Sequence, residues 1–105
     1  MQPANKLNIE SLTDDWCDKD YVMLHACFQL LKDCVEKENL FINNIDWDAD
    51  ERHRKTKAEL EALYHWWLER LKAESSDSLM DDDEQYKEDD LMLHRLITVR
   101  RALWI

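Results

Sequence analysis

Apolar residues recur at helical spacing in three stretches of the chain, and the first of these runs from about residue 15 to residue 38. At 100° per residue its apolar side chains share one arc of roughly 160°, which is typical of a helix with a wide core-facing side. These residues are Met23, Leu24, Cys27, Phe28, Leu30, Leu31, Cys34 and Val35. The opposite side carries His25, Gln29, Lys32 and Glu36. We expect these four residues to form a solvent-exposed polar stripe.

The second stretch, from about residue 48 to residue 74, lacks glycine and proline and predicts one helix of about seven turns. Asp48, with Glu51 three residues later, is typical of a capping box at a helix start. The expected core stripe is Ala49, His53, Thr56, Leu60, Leu63, Tyr64, Trp67 and Leu71. Basic residues crowd the first two turns, where they oppose the helix dipole: Arg52, Arg54, Lys55 and Lys57. We therefore expect these residues to contact an acidic part of the chain.

The third stretch runs from about residue 79 to residue 104. Its expected core stripe is Leu79, Tyr86, Leu93, Leu96, Ile97, Leu103 and Trp104, with Met92 and Val99 at the edge. Asp82 and Asp89 take inward-facing positions in the first half, and Arg100 falls in the middle of the stripe. The first half of this helix is therefore expected to have only a narrow apolar contact with the rest of the bundle.

Together the three stretches predict an all-α fold, an antiparallel bundle of three long helices at about 15–38, 48–74 and 79–104. Residues 15–105 form one domain, and residues 1–14 form a polar, partly ordered arm. The chain has no glycine and one proline, which disfavours hairpin-rich β architecture because tight hairpin turns usually need glycine.

His53, Asp89 and Arg100 are the candidates for polar residues inside the core. For His53 we favour a core histidine that is hydrogen-bonded to a carboxylate or a backbone oxygen. The alternative is a ligand-binding or proton-transfer residue.

Trp66 and Trp67 are consecutive, so both cannot face one core from the same helix. Trp66 is expected to meet either the N-terminal arm, the loop around Phe41 or another chain. Tryptophan is frequent among residues that anchor interfaces. A homodimer is one arrangement that would cover Trp66 and the edge from Met23 to Leu30.

The formal net charge is −10, which argues against direct binding to nucleic acid or to an anionic membrane. It favours either high solubility or binding to a partner protein with a basic surface. Residues Asp81 to Asp90 form an acidic run, which indicates either a solvated helix start or a binding surface. The candidate partner-binding residues are Trp66, Asp81, Asp82, Asp83, Glu84 and Glu88.

The sequence indicates no cofactor, no metal ligands and no catalytic residues, since it contains neither a phosphate-binding loop nor paired metal-binding motifs. A metal-dependent, all-helical nucleotide hydrolase is the enzymatic alternative, using Asp81, Glu84, Glu88 or Asp89 with His53. No signal-peptide pattern is evident, and the three cysteines form no CxxC pair. We therefore expect reduced thiols and a cytoplasmic location.

Four segments resemble a group of small acidic helical proteins encoded by tailed bacteriophages. They are DYVMLHACFQLLKDCVEKE, IDWDADERH, LYHWWLER and YKEDDLMLHRLITVRRALWI. The resemblance covers most of the chain from Asp20 onward. It implies a phage accessory protein made in the bacterial host cytoplasm, and it assigns no catalytic residues. We therefore expect a protein-binding role, such as inhibition of a host defence or nucleic-acid-handling enzyme, with a minor virion component as a further alternative.

Overall fold

The structure is a computed structural model that describes residues 7–12, 18–42, 46–74 and 82–103. Three α-helices pack against one another: α1 (Lys19–Glu36), α2 (Glu51–Glu74) and α3 (Asp82–Thr98). A short 3₁₀ helix, η1 (Arg100–Leu103), follows α3. No strand occurs within these four ranges, so the predicted all-helical fold is confirmed.

The helices are shorter than the sequence pattern predicted. Asp18 has an extended backbone, and α1 therefore begins at Lys19 and ends at Glu36 rather than at residue 38. At its end α3 gives way to the 3₁₀ geometry of η1. This change matters because a 3₁₀ helix turns by about 120° per residue, which ends the α-helical register before Arg100.

The start of α2 is set by Asp50, not by Asp48. The Asp50 carboxylate accepts a hydrogen bond from the backbone N–H of His53 at 2.8 Å, and the Asp50 carbonyl accepts one from Arg54. This is the pattern of an N-cap residue, which satisfies an N–H group that has no partner inside the helix. The predicted capping box of Asp48 and Glu51 is therefore wrong.

A turn after α1 places the connector to α2 over one end of the core. Asn39 takes the left-handed conformation, with φ 56°, which asparagine tolerates better than most residues. Leu40 is then fully buried, and its carbonyl accepts a hydrogen bond from the indole of Trp47 at 3.2 Å.

The core lies between the three helices and beneath this connector. Its buried apolar residues are Leu24, Phe28, Leu31, Leu40, Trp47, Leu60, Leu63, Trp67, Met92 and Leu96. Phe28 of α1 stacks on Trp67 of α2, with ring centroids 5.0 Å apart. The predicted core faces of α1 and α3 were too wide, because Met23, Leu30, Tyr86 and Ile97 are all exposed.

The polar stripe of α1 is not exposed as expected, because residues 7–12 cover much of it. His25 and Gln29 are fully buried. Ser11 Oγ lies 2.6 Å from His25 Nδ1, and the backbone N–H of Glu10 donates to Gln29 Oε1. Lys32 forms ion pairs with Glu10 and Glu36 at the rim of this contact. Tertiary covering by residues distant in sequence overrides the simple two-sided pattern of the helix.

Across the described ranges, none of the helices combines the length and the apolar character that a membrane crossing requires.

Candidate interaction surface

A buried ion pair joins α2 to α3. Arg70 Nε and Nη2 donate to the two carboxylate oxygens of Asp89 at 2.8 and 2.9 Å, and Gln85 donates to Asp89 as well. Arg70 and Asp89 are only 7% and 8% exposed. The predicted inward position of Asp89 is thus confirmed. Sequence reasoning missed Arg70, although it continues the buried stripe of Leu63 and Trp67 at i+7 and i+3.

His25 lies in the interior near this pair. Its ring packs edge-to-face on Trp67 at 4.8 Å and lies 4.7 Å from the ring of Tyr21. Burial, together with the nearby Arg70 charge, lowers the pKa of His25 to about 4, and the charge of Asp89 opposes this change. His25 is therefore neutral at physiological pH. The buried cluster of His25, Arg70 and Asp89 contributes internal structure and presents no charge to a partner.

Trp66 meets its own chain. Its indole N–H donates to Glu88 of α3 at 2.7 Å, and its ring lies 5.2 Å from that of Phe28 in α1. The expected contacts of Trp66 did not include α3. Its side chain is half-buried and contacts both α1 and α3. Glu88 is engaged by the same hydrogen bond, so each of these two candidates has a structural role within the bundle.

His53 and Arg100 lie at the surface, so their predicted core positions are wrong. The His53 side chain is 44% exposed, with Nδ1 2.7 Å from the carboxylate of Asp50. This carboxylate contact was among the partners expected for it. Arg100 is exposed because it follows the transition from α3 into η1, where the α-helical stripe no longer applies.

The remaining acidic candidates divide into two groups. Asp83 and Glu84 are exposed on the first turns of α3. Asp81 and the side chain of Asp82 lie outside the described part of the chain. Glu84 is about 160° around the helix from Tyr86, whereas Asp83 and Asp90 are within about 60° of it. Asp83 and Asp90 therefore share one side of α3 with Tyr86.

Tyr86 connects this side of α3 to the first turn of α1. Its hydroxyl donates to Asp20 at 3.0 Å, and this bond raises the pKa of Tyr86. Near the other ends of the same helices, the Cys34 thiol lies 3.8 Å from the carbonyl of Leu103. These two contacts place α1 and α3 side by side along their lengths.

Exposed apolar side chains follow the groove between α1 and α3. Met23 and Leu30, seven residues apart, are 61% and 48% exposed, and Tyr86 and Ile97, eleven residues apart, are each 54% exposed. Each pair lies within about 20° on its own helix. We define these four residues, with the carboxylates of Asp20, Asp83 and Asp90, as the α1–α3 face. Contiguous apolar surface rimmed by charge is typical of an interaction site.

The residues considered for metal-dependent hydrolysis are not brought together. Glu88 accepts a hydrogen bond from Trp66, and Asp89 accepts one from Arg70. His53 lies 17 residues before Arg70 on α2, which is a separation of about 25 Å along the helix. Within the described ranges, no group of three or more His, Cys, Asp or Glu side chains is arranged to hold a metal ion.

The basic residues at the start of α2 make no ion pair with residues 83–90, the part of the acidic run whose side chains the structure describes, and the predicted contact is wrong for that part. Lys55 and Lys57 pair with Glu51 and Glu61 on their own helix. Arg52 and His53 face Arg101 and the end of α3 instead. The start of α2 therefore carries both signs of charge, with its lysines paired to acidic residues of the same helix.

Comparison with known proteins adds no assignment, because no family model, no curated protein and no solved structure matches the chain.

Proposed function

We propose that the chain acts by protein–protein binding through the α1–α3 face, and that its partner presents a basic surface with apolar sites. The observation that carries this proposal is the exposure of Met23, Leu30, Tyr86 and Ile97 along one groove. Exposed carboxylates rim the same groove. The acidic surface expected from the sequence is therefore retained, while Trp66 and Glu88 are replaced by these apolar residues as anchors.

The two kinds of side chain would contribute differently to binding. Apolar side chains at the centre of an interface provide most of the affinity once water is excluded. Carboxylates at the rim attract a basic partner and disfavour binding of acidic proteins. This effect weakens as ionic strength increases. The proposed role is thus non-catalytic.

We also propose that the three helices run antiparallel and that the N-terminal arm crosses α1. His25, in the first half of α1, contacts Trp67 of α2. Glu36, at the end of α1, contacts Tyr64, which comes earlier in α2. Between α2 and α3, Glu59 pairs with Arg95 and Arg70 with Asp89. Both series support an antiparallel bundle of long helices, with a polar arm extending across α1.

The biological setting follows from the resemblance to small phage proteins. We place the chain in the cytoplasm of a bacterial host, where an acidic protein-binding surface suits an inhibitor of a defence or nucleic-acid-handling enzyme. Such enzymes carry basic surfaces for their nucleic acid, which the acidic rim of the α1–α3 face would engage.

The proposal is tested by capturing partners from host lysate with two matched double variants. Met23→Asp with Ile97→Asp adds two carboxylates to the α1–α3 face. Ala58→Asp with Ala62→Asp adds two to exposed positions of α2. We expect the first variant to lose the captured basic protein and the second to retain it, with both remaining helical by circular dichroism. Equal capture by the two variants would contradict the proposal.

Self-pairing through the same face is a second candidate, favoured by the separation of charge along it. Asp20 and Asp83 lie at one end, whereas Arg100 and Arg101 lie at the other. Two copies related by a two-fold axis across the helices would bring opposite charges together. Light scattering distinguishes this case: a dimer mass that falls to 12.7 kDa in the Met23→Asp and Ile97→Asp variant supports self-pairing, and a monomer mass in the unaltered chain excludes it.

A further inference from the structure

A second groove lies at the end of the bundle where α2 begins, next to the Ile97 end of the α1–α3 face. It has a volume of about 600 Å³ and is open to solvent between the start of α2 and the end of α3 with η1. This size falls within the range of pockets that hold small ligands. Trp47, Val99 and Ala102 form its apolar part, while Arg52 and Arg101 contribute guanidinium groups from two different elements.

The two arginines differ from the arginines that pair with carboxylates inside the bundle. Arg70 and Arg95 each bind both oxygens of a carboxylate, from Asp89 and Glu59 respectively. Arg52 and Arg101 make no side-chain hydrogen bond or ion pair with any described residue, although acidic residues outnumber basic ones by ten in the sequence. Asp50, on the same groove, is close enough to Arg52 for the arginine charge to contribute to the lowered pKa of that carboxyl group. With one carboxylate facing two arginines, the described lining of the groove carries a net positive charge.

The one carboxylate on the groove wall is already engaged. Asp50 accepts the backbone N–H of His53 and lies 2.7 Å from His53 Nδ1. This contact places the Nδ1 proton towards Asp50, so that Nε2 is the ring atom available to a ligand. The bond to His53 also lowers the pKa of Asp50, which keeps that carboxylate ionised and the ring oriented.

We propose that this groove binds the phosphoryl group of a small organic phosphate monoester, with Arg52 and Arg101 as its cationic contacts. Guanidinium groups match phosphate geometry because they donate two parallel hydrogen bonds. The organic part of the ligand would lie against Val99 and Ala102. His53 Nε2 provides a further polar contact, and no chemical step is assigned to it.

The test is a titration of the full chain, followed by ¹H–¹⁵N NMR at low ionic strength, with inorganic phosphate, phenyl phosphate and phenol as probes. We expect saturable shifts confined to residues 50–56 and 98–102 for the two phosphates, with phenyl phosphate binding more tightly. Phenol is expected to bind more weakly than either phosphate. A dissociation constant of about 1 mM or lower corresponds to at least about 4 kcal/mol of binding free energy.

Three variants of equal charge change make the result specific. Arg52→Gln and Arg101→Gln are each expected to weaken phenyl phosphate binding about tenfold, because each removes one charge-assisted hydrogen bond. Lys55→Gln, which removes a nearby charge that does not line the groove, is expected to change affinity little. Shifts that do not saturate, that survive both arginine variants or that weaken equally in Lys55→Gln would overturn the proposal.

Discussion

Arg70 and Asp89 pair inside the protein near one end of the bundle, whereas Arg52 and Arg101, on a groove at the other end, form no hydrogen-bonded ion pair with a described residue. Near the first end, the buried cluster of His25, Arg70 and Asp89 connects all three helices. At the second end, the connector and η1 close the apolar core and leave the cations outside. The same residue type therefore contributes to folding at one end and is available to a ligand at the other. Position relative to the core decides between the two roles.

The largest expected effect comes from breaking the buried pair. Asp89→Ala leaves the Arg70 charge buried without its carboxylate, and we expect a loss of about 3–5 kcal/mol in the free energy of unfolding. Urea denaturation followed by circular dichroism measures it. Asp90→Ala, at the exposed neighbouring position, is the matched control and should change stability little.

A double variant distinguishes the effect of the unpaired charge on stability from the effect of lost side-chain volume. Arg70→Leu with Asp89→Leu removes both charges and retains apolar volume, so it should lose less stability than Asp89→Ala alone. If the double variant were at least as destabilised as the single one, the unpaired buried charge would not be the cause.

The next effect is a pH dependence that comes from His25. Its pKa is about 4 in the folded chain and about 6.5 when unfolded. The unfolded state therefore takes up a proton first as pH falls from about 6.5 to about 4, and stability decreases by about 3 kcal/mol across this window. Above pH 6.5 both states are neutral, and this contribution to stability is complete.

His25→Gln removes this titration and should flatten the dependence of unfolding free energy on pH between about 6.5 and 4. The control is His94→Gln, which changes an exposed histidine on α3. Denaturation curves at several pH values provide the measurement. Equal slopes for the unaltered chain and His25→Gln would show that another group is responsible.

The smallest of these effects concerns Trp66, whose indole bond to Glu88 adds a polar link between α2 and α3. Trp66→Phe keeps an aromatic ring against Phe28 and removes the N–H donor, so we expect a loss of about 1–2 kcal/mol. Arg101→Gln is the comparison at the other end, where the side chain makes no described bond and stability should change little. Equal losses in both variants would contradict the distinction between the ends.

The sequence predicted the three helices because apolar spacing and the lack of glycine are local properties. It also predicted the inward position of Asp89. The register of α3 was wrong by part of a turn: Met92 and Leu96 are buried, while Tyr86 and Ile97 are exposed. This rotation is consistent with Asp89 reaching Arg70, a contact that no pattern within α3 alone could indicate.

Other errors share this non-local cause. His25 was placed on an exposed stripe because the periodicity of α1 carries no information about residues 7–12, which cover it. Trp66 was expected to meet the N-terminal arm, the loop around Phe41 or another chain, since a helix cannot turn both consecutive tryptophans to one neighbour. In the structure α2 has two neighbours, and Trp66 contacts both. Met23 and Leu30, which the periodicity of α1 placed on its core face, are exposed and belong to the proposed binding surface.

The most direct test of binding through the α1–α3 face is site-specific photo-crosslinking in cells of the proposed bacterial host. A benzophenone amino acid replaces Ile97 on the face or Ala62 on the exposed side of α2. We predict an adduct with a basic protein from position 97, lost when Asp83→Lys is added, and none from position 62. Equal adducts from both positions, or an adduct from position 97 that persists with Asp83→Lys, would contradict an acidic binding surface at this face.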